Sequence, residues 1–512
     1  MSKETNEKHK KYVDFYIDNK GKNKDTIYWG LGIENETYIM TENLTVVDGV
    51  FLNNTKRERY SVNYFSSYDM DKYKEAISCV DSVIVPHYIN AYMIQNTDIY
   101  GQHKTTYTKN PAKNPKFCGM TIHEYMFYMS KKYKRLFDKN MIFDGDTFEF
   151  TTNKFYKTTV DATVNELNEI KHVFLREINK YLANKFVFSG YGNAFCFPSH
   201  NYGFVKYMTN MNNIGVCNSG TYHINITMPT VIKNTQIVDP VYFKKIHRNA
   251  IRLIQWFEPF IIALYGTPDI LSCCQTNPVS GNYCKGSLRL MMSRYIGLGT
   301  YNTDTMDSGK KLNDFEYKNK NKNKRDSSSS SSKHYFNELH SKCDNVYNPP
   351  ETIGYDINYN KFKNHGIELR VLDYFPEEYL KDVINFLVLL CQHSLYSEIS
   401  PPQDSQLWND FAISCIKDGS DSVVSHDLYC KIREICGMPE RNGCFECLKK
   451  NRDNRTIMEV IVKISSYLYE KYKDDTILVT KMSPDMKKIV WVNYNKMVRE
   501  FYENSFKQKI QF

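Results

Sequence analysis

Residues 30–38 read Gly-Leu-Gly-Ile-Glu-Asn-Glu-Thr-Tyr, at the centre of a strand-like segment from Ile27 to Thr41. Successive side chains of a strand point to opposite sides. Glu34 and Glu36 therefore share one face, and Ile33 with Asn35 take the other. Three more segments repeat this arrangement. In Ser219–Pro229, SGTYHINITMP, His223 and Asn225 lie on one face with Ile224 and Ile226 behind them. In Gly366–Asp373, GIELRVLD, Glu368 and Arg370 are backed by Ile367, Leu369 and Val371. In Phe143–Thr152, FDGDTFEFTT, Glu149 stands between Phe148 and Phe150, with Asp144 and Asp146 just before it.

One such doublet fits the solvated face of an ordinary half-exposed strand. Together they aim carboxylates, an imidazole and a guanidinium at one sheet surface, a set that repels or stays unpaired without a ligand. Carboxylate oxygens are the hard ligands Mg²⁺ prefers, and such sites hold the ion through a few carboxylates plus substrate phosphates. An arginine fork beside them suits a phosphate or a substrate carboxylate. The chain has no Walker loop, so phosphate binding here rests on metal and side chains.

Outward from these strands, helical spacing predicts helices over Asp161–Phe186, Lys244–Tyr265, Glu377–Glu398, Val423–Cys436, Ile457–Tyr472 and Pro484–Tyr502. Ile457, Val460, Ile461, Ile464 and Leu468 form one apolar stripe. Strands early, long helices between and after, and no regular βαβ alternation predict an α+β fold. Its antiparallel sheet forms a concave active site, and a helical C-terminal layer packs on that sheet. No repeat of 20 to 50 residues is evident, which argues against a solenoid or propeller. Residues 1–25 are expected to be a disordered arm, and 309–334, with its Lys/Asn run and six consecutive serines, a disordered insertion.

Composition sets the remaining bounds. The 67 Lys and Arg against 58 Asp and Glu leave +9 over 512 residues, an excess too dilute to argue for nucleic acid. With 41% hydrophobic and 14% aromatic residues the chain can bury a large core. The Lys- and Asn-rich bias suggests an AT-rich genome, which weakens the meaning of any single Lys or Asn. The polar start MSKETNEKHKKYVDFY lacks the apolar region of a secretory signal, so a cytoplasmic setting and free thiols are expected of the 14 cysteines. Neither Val383–Cys391 nor Phe257–Tyr265 approaches the roughly 18 residues of a membrane span.

In their order along the chain, the Glu34/Glu36, Glu149, His223/Asn225 and Glu368/Arg370 segments resemble those of glutamate-cysteine ligase-type carboxylate-amine ligases, within the glutamine synthetase superfamily that also holds the amidoligases. The stretch 249–269, NAIRLIQWFEPFIIALYGTPD, and 286–300, GSLRLMMSRYIGLGT, are similar to that family's helix with a Gly-x-Pro turn and its Ser-Leu-Arg segment. The resemblance covers about 27–390, with wide gaps. It implies a catalytic domain over 26–400 and a helical C-terminal region, 401–512, that has no counterpart in the comparison.

The chemistry it implies is amide formation through an acyl phosphate, with ATP and Mg²⁺ required and a small-molecule acid and amine as substrates. Glu34, Glu36, Glu149, His223 and Glu368 would be metal ligands. Arg370 would stabilise the transferring phosphoryl group and, with Asn225, contact the nucleotide. Arg289 and Asn225 would hold the substrate, and Asp144 or Asp146 would be a further ligand or the base that deprotonates the amine. Two alternatives stand beside this reading: a guanidino kinase-like phosphotransferase on the same fold, and a non-catalytic binding protein on a decayed scaffold. Elsewhere, Cys430, Cys436, Cys444 and Cys447 could bind structural zinc, although only Cys444 and Cys447 have knuckle spacing. The neighbouring Cys273 and Cys274 suggest no chemistry.

Overall fold

The computed structural model describes residues 27–42, 44–47, 50–53, 88–89, 122–144, 147–152, 159–182, 194–198, 220–233, 236–269, 283–293, 295–297, 310–312, 357–359, 366–439, 454–473 and 489–508. The fold is α+β. Its main sheet comprises β1 (Ile27–Thr37), β2 (Met141–Asp144), β3 (Thr147–Thr151), β4 (Thr221–Lys233), β5 (Gln236–Ile237), β6 (Ile357–Tyr359) and β7 (Ile367–Asp373). The order is β6-β7-β4-β1-β3-β2, with β5 folded back on β4, and every pairing is antiparallel. The two longest strands, β1 and β4, thus lie at the centre, where their side chains meet neighbours on both edges.

The helices are α1 (Ile122–Met129), α2 (Lys131–Lys139), α3 (Val160–Leu182), α4 (Pro240–Tyr265), α5 (Leu288–Ser293), α6 (Leu380–Ser394), α7 (Gln406–Asp418), α8 (His426–Ile435), α9 (Ile457–Tyr472) and α10 (Tyr494–Gln508). One sheet face is apolar: Leu31, Ile33, Phe148, Phe150, Tyr222, Ile224, Ile226, Ile367 and Leu369 are all fully buried. It is covered by α3 and α4, which pack on β1 and β3 and on β4 and β7 respectively. The Phe174 ring of α3 meets Phe148 and Phe150 at centroid distances of 5.3 and 5.0 Å. On α4, His247 accepts from the Met228 amide through Nε2 (3.0 Å) and donates to the Phe243 carbonyl through Nδ1 (2.7 Å), locking helix to sheet.

The C-terminal helices were expected to pack on the sheet, and the structure corrects this. Helices α7 and α10 pack chiefly on α4, and α9 on α6 and α4, forming a layer behind the first. Helix α4 lies between the two layers: of residues 249–265 all but Arg252 are buried, so the helix is covered on nearly every side, by the sheet on one and by the C-terminal helices on the other. Pro259 within α4 has no N–H and leaves the Gln255 carbonyl without its helical donor. The Trp408 indole of α7 supplies one at 2.9 Å. Along another stripe of α4, Asn249, Arg252 and Trp256 donate to the carbonyls of Ser397, Ile399 and Ser400 at 3.1, 2.8 and 3.0 Å. The apolar core is continuous from Leu31 to Tyr502.

Several boundaries differ from the sequence reading. Helix α8 begins at His426 rather than Val423, because Ser425 caps it and Val423–Val424 pairs with Arg455–Thr456. Helix α10 runs Tyr494–Gln508, and α7 is not among the helices the sequence pattern predicts. The stretch 309–334 is ordered at its start: Lys310–Lys311 pairs with Tyr295–Ile296, and Leu312 is buried at 1% exposure. A buried leucine gives that opening a core role which the composition of the whole stretch concealed. Residues 1–25 and 313–334 lie outside the described residues. Among the described residues, no helix is long and apolar enough to cross a membrane.

Candidate active site

The polar face of the sheet is organised in rows by strand register. In one row Asn358, Glu368, Asn225 and Gly32 oppose one another across β6, β7, β4 and β1. In the next, His223 opposes Glu34, which opposes Thr151. In the third, Asp373, Thr221, Glu36 and Glu149 run across β7, β4, β1 and β3. Directly opposed residues of an antiparallel pair share a face, so Glu34, Glu36, Glu149, His223, Asn225 and Glu368 all lie on one side.

Within this face Glu34, His223 and Glu368 offer ligand atoms that lie within 4.8 Å of one another. His223 is almost wholly buried, and its Nδ1 is 3.1 Å from Glu34 Oε2. Burial, reinforced by the Arg370 charge and opposed by the hydrogen bond to Glu34, pushes the imidazole pKa down to about 4. The ring is therefore neutral at pH 7. With its proton on Nδ1, donated to Glu34, the Nε2 lone pair faces Glu36 Oε1 at 3.6 Å and has no hydrogen-bond partner among the described residues. Two electron-rich atoms held this close in a buried site are a natural setting for a cation.

Arg370 owes its position to a β-bulge. Between Leu369 and Leu372 the β7–β4 register shifts, so Arg370 and Val371 together stand across from His223. The extra residue also moves Asp373 onto the row of Thr221 and Glu36. Asp373 accepts from Ser287 Oγ (2.6 Å) and the Thr267 amide (3.1 Å) on one oxygen, and from the Arg289 amide (3.1 Å) on the other. Burial raises its pKa to about 6, opposed by these hydrogen bonds and the Arg289 charge. Arg289, itself 2% exposed, is thereby tethered to the sheet at the end of the third row.

The turn carrying Arg289 is gripped from behind by the C-terminal helices. Asn495 of α10 donates to the carbonyls of Gly266, Lys285 and Gly286 at 2.8, 2.6 and 3.1 Å. The amides of Lys285 and Gly286 donate to the carbonyls of Lys417 and Ile416 at 2.9 and 3.0 Å. A Cβ on Gly286 would strike the Cys415 and Ile416 backbone, so only glycine allows this approach. Beneath the sheet, buried Lys171 donates to Asn35 Oδ1 (2.7 Å) and pairs with Glu377, and Asn35 in turn donates to the Thr221 carbonyl (3.1 Å). The residue between the two glutamates of β1 is thus fixed from the opposite face.

Asp144 ends β2 and pairs with Thr147 across the hairpin; its side chain and Asp146 lie outside the described residues. Asn358, Thr221 and Asp373 belong to the polar face but were not among the residues predicted for it. Away from this face, Cys430 is exposed, with Sγ 3.4 Å from His426 Nε2, whereas Cys436 is buried and its thiol pKa is pushed up by that burial. Neither joins a metal-competent group among the described residues. Cys273, Cys274, Cys444 and Cys447 lie outside them. The six described cysteines are free thiols.

No family model matches the chain. A bifunctional glutathione synthetase from Pasteurella multocida superposes on 98% of it with a TM-score of 0.33 and 10% identity. The chain spans about half, 54%, of that protein's length, and a likeness this low carries no argument. "Uncharacterized protein R704" of Acanthamoeba polyphaga mimivirus is 38% identical over 514 residues, which cover 99% of this chain and 84% of that protein. The chain belongs to the same family as this mimivirus protein.

Proposed function

We propose that the protein is an ATP- and Mg²⁺-dependent ligase that joins an amino-acid carboxylate to an amine through an acyl phosphate. The observation that carries this reading is the convergence of Glu34, His223 and Glu368 within 4.8 Å on the face that also bears Glu36, Glu149 and Asn225. These residues match, in order, the motifs through which the chain resembles glutamate-cysteine ligase-type enzymes. A donor set of several carboxylates and one neutral imidazole fits a hard divalent cation. Bound Mg²⁺ would neutralise the phosphate oxygens of ATP.

The protein's own groups would then divide the remaining work. A carboxylate oxygen leaves poorly, so the acid is activated by accepting the γ-phosphoryl group; the amine attacks the acyl carbon, and phosphate departs beside ADP. Arg370, already close enough to depress the His223 pKa, would present fixed positive charge to the transferring group. Asn225, between Gly32 and Glu368 in the first row, would donate to the nucleotide or the substrate. Arg289, pinned by Asp373, would take a substrate carboxylate as a fork. Asp144 and Asp146, at the β2–β3 hairpin, are the proposed sources of the base. In this reading 26–400 is the catalytic unit and 401–512 braces the Arg289 turn.

The test is a mass-spectrometric screen of amino acids and amines with ATP and Mg²⁺. A new amide formed with equimolar ADP and phosphate is expected. A phosphorylated product without amide would replace the ligase with a phosphotransferase, and ATP left intact across the panel would leave a binding protein.

A further inference from the structure

We infer that Asn358 is a positioning residue for the Glu368 carboxylate, holding it in the orientation that completes the cation site with Glu34 and His223. The inference rests on the proposed metal reading and extends it to a residue on the three-residue strand β6. Asn358 is fully buried and stands directly opposite Glu368 in the β6–β7 pair. Its Nδ2 donates to Glu368 Oε2. Glu368 is only 1% exposed, so solvent is not at hand to orient it. A carboxylate rotates easily about its last bonds, and a fixed donor on one oxygen selects the direction of the other. A partner that orients a metal ligand in this way is worth roughly 10- to 100-fold in metal affinity.

The other end of the amide argues against a purely structural role. Asn358 Oδ1 is buried and has no hydrogen-bond partner among the described residues, a condition that disfavours the fold. An apolar residue would suit a fully buried position on a short strand better, since Asn is poorly suited to strands. Among the described residues, the side chain contributes through its bond to Glu368.

The experiment measures Mn²⁺ binding to the full chain by the EPR signal of free Mn²⁺, with the melting temperature read on the same preparations. Asn358→Leu keeps approximate volume and removes the donor; Asn358→Ser keeps a donor on too short an arm and serves if the first variant does not fold. Either is expected to raise the Mn²⁺ Kd about 10-fold or more. Ile357→Val is the control, because Ile357 sits on the same strand but its neighbour-facing side is the apolar one, opposite Leu369. It should loosen β6 and leave the Kd unchanged. If the Asn358 variants bind Mn²⁺ as the parent does while Glu34→Gln does not, the inference is overturned and the metal site stands. If the Kd rises equally in Ile357→Val, the effect is strand stability and the inference also fails. A parent chain that binds no Mn²⁺ overturns the metal reading and the inference together.

Discussion

Replacing Asp373 by Asn tests whether a buried, ionised carboxylate tethers the Arg289 segment. The folded pKa of about 6 lies above the ordinary 3.8, so between these values the native state holds a proton that the unfolded chain has lost. The stabilising contribution of the protonated group is complete below about pH 4 and disappears as the pH rises through 6. At 1.36 kcal/mol per unit, the roughly two-unit difference amounts to about 3 kcal/mol across the window, of which about 2 kcal/mol falls between pH 4.5 and 7.5. Asparagine cannot titrate, so this slope vanishes in Asp373→Asn. Urea unfolding of both proteins at pH 4.5 and pH 7.5 should show the parent losing about 2 kcal/mol more than the variant over that interval. Constant effects, such as the acceptor lost to the Arg289 amide, cancel in the difference. Stability profiles that run parallel would refute the raised pKa of Asp373, and with it the dominance of burial over the hydrogen bonds from Ser287, Thr267 and Arg289 at this carboxylate.

Trp408→Phe should cost about 1–3 kcal/mol by leaving the Gln255 carbonyl without a donor; in a Pro259→Ala background, where the helix regains its own N–H, the same change should cost less, and equal losses in chemical denaturation would count against the pairing. Arg370→Lys keeps the charge and loses the fork, so kcat of the proposed ligase should fall by roughly 10² with little change in melting temperature or nucleotide affinity. A lower melting temperature with unchanged kcat would make Arg370 a structural residue. Glu36→Gln should raise the Mg²⁺ concentration needed for half-maximal ATP binding about 10-fold or more, with recovery at high Mg²⁺; calorimetric titrations that coincide with the parent's would remove Glu36 from the metal site.

Local order was legible because it depends on near neighbours in the chain. The period of two in Gly30–Tyr38 assigns Glu34 and Glu36 to one face whatever lies beside them, and the same holds for His223 with Asn225 and Glu368 with Arg370. Helical spacing likewise marked the α4 segment. Pairing between strands depends on contacts far apart in sequence. That Glu34 meets His223 and Glu36 meets Glu149 is set by register. Asp373 joins the polar face only because the bulge shifts the alternation by one residue, which a strict reading of IELRVLD hides. Strand β6 is three residues long, too short to carry a period, so Asn358 gained its meaning only from the Glu368 opposite it. The second helical layer followed the same logic: the spacing of apolar residues marked α4 as a helix, but what covers its far side was decided by packing, with Trp408 bonding the Gln255 carbonyl and Asn495 the Gly266 carbonyl at its end. Sequence spacing decides which way a side chain faces along its own element, whereas register, bulges and layer contacts decide which distant side chain it meets.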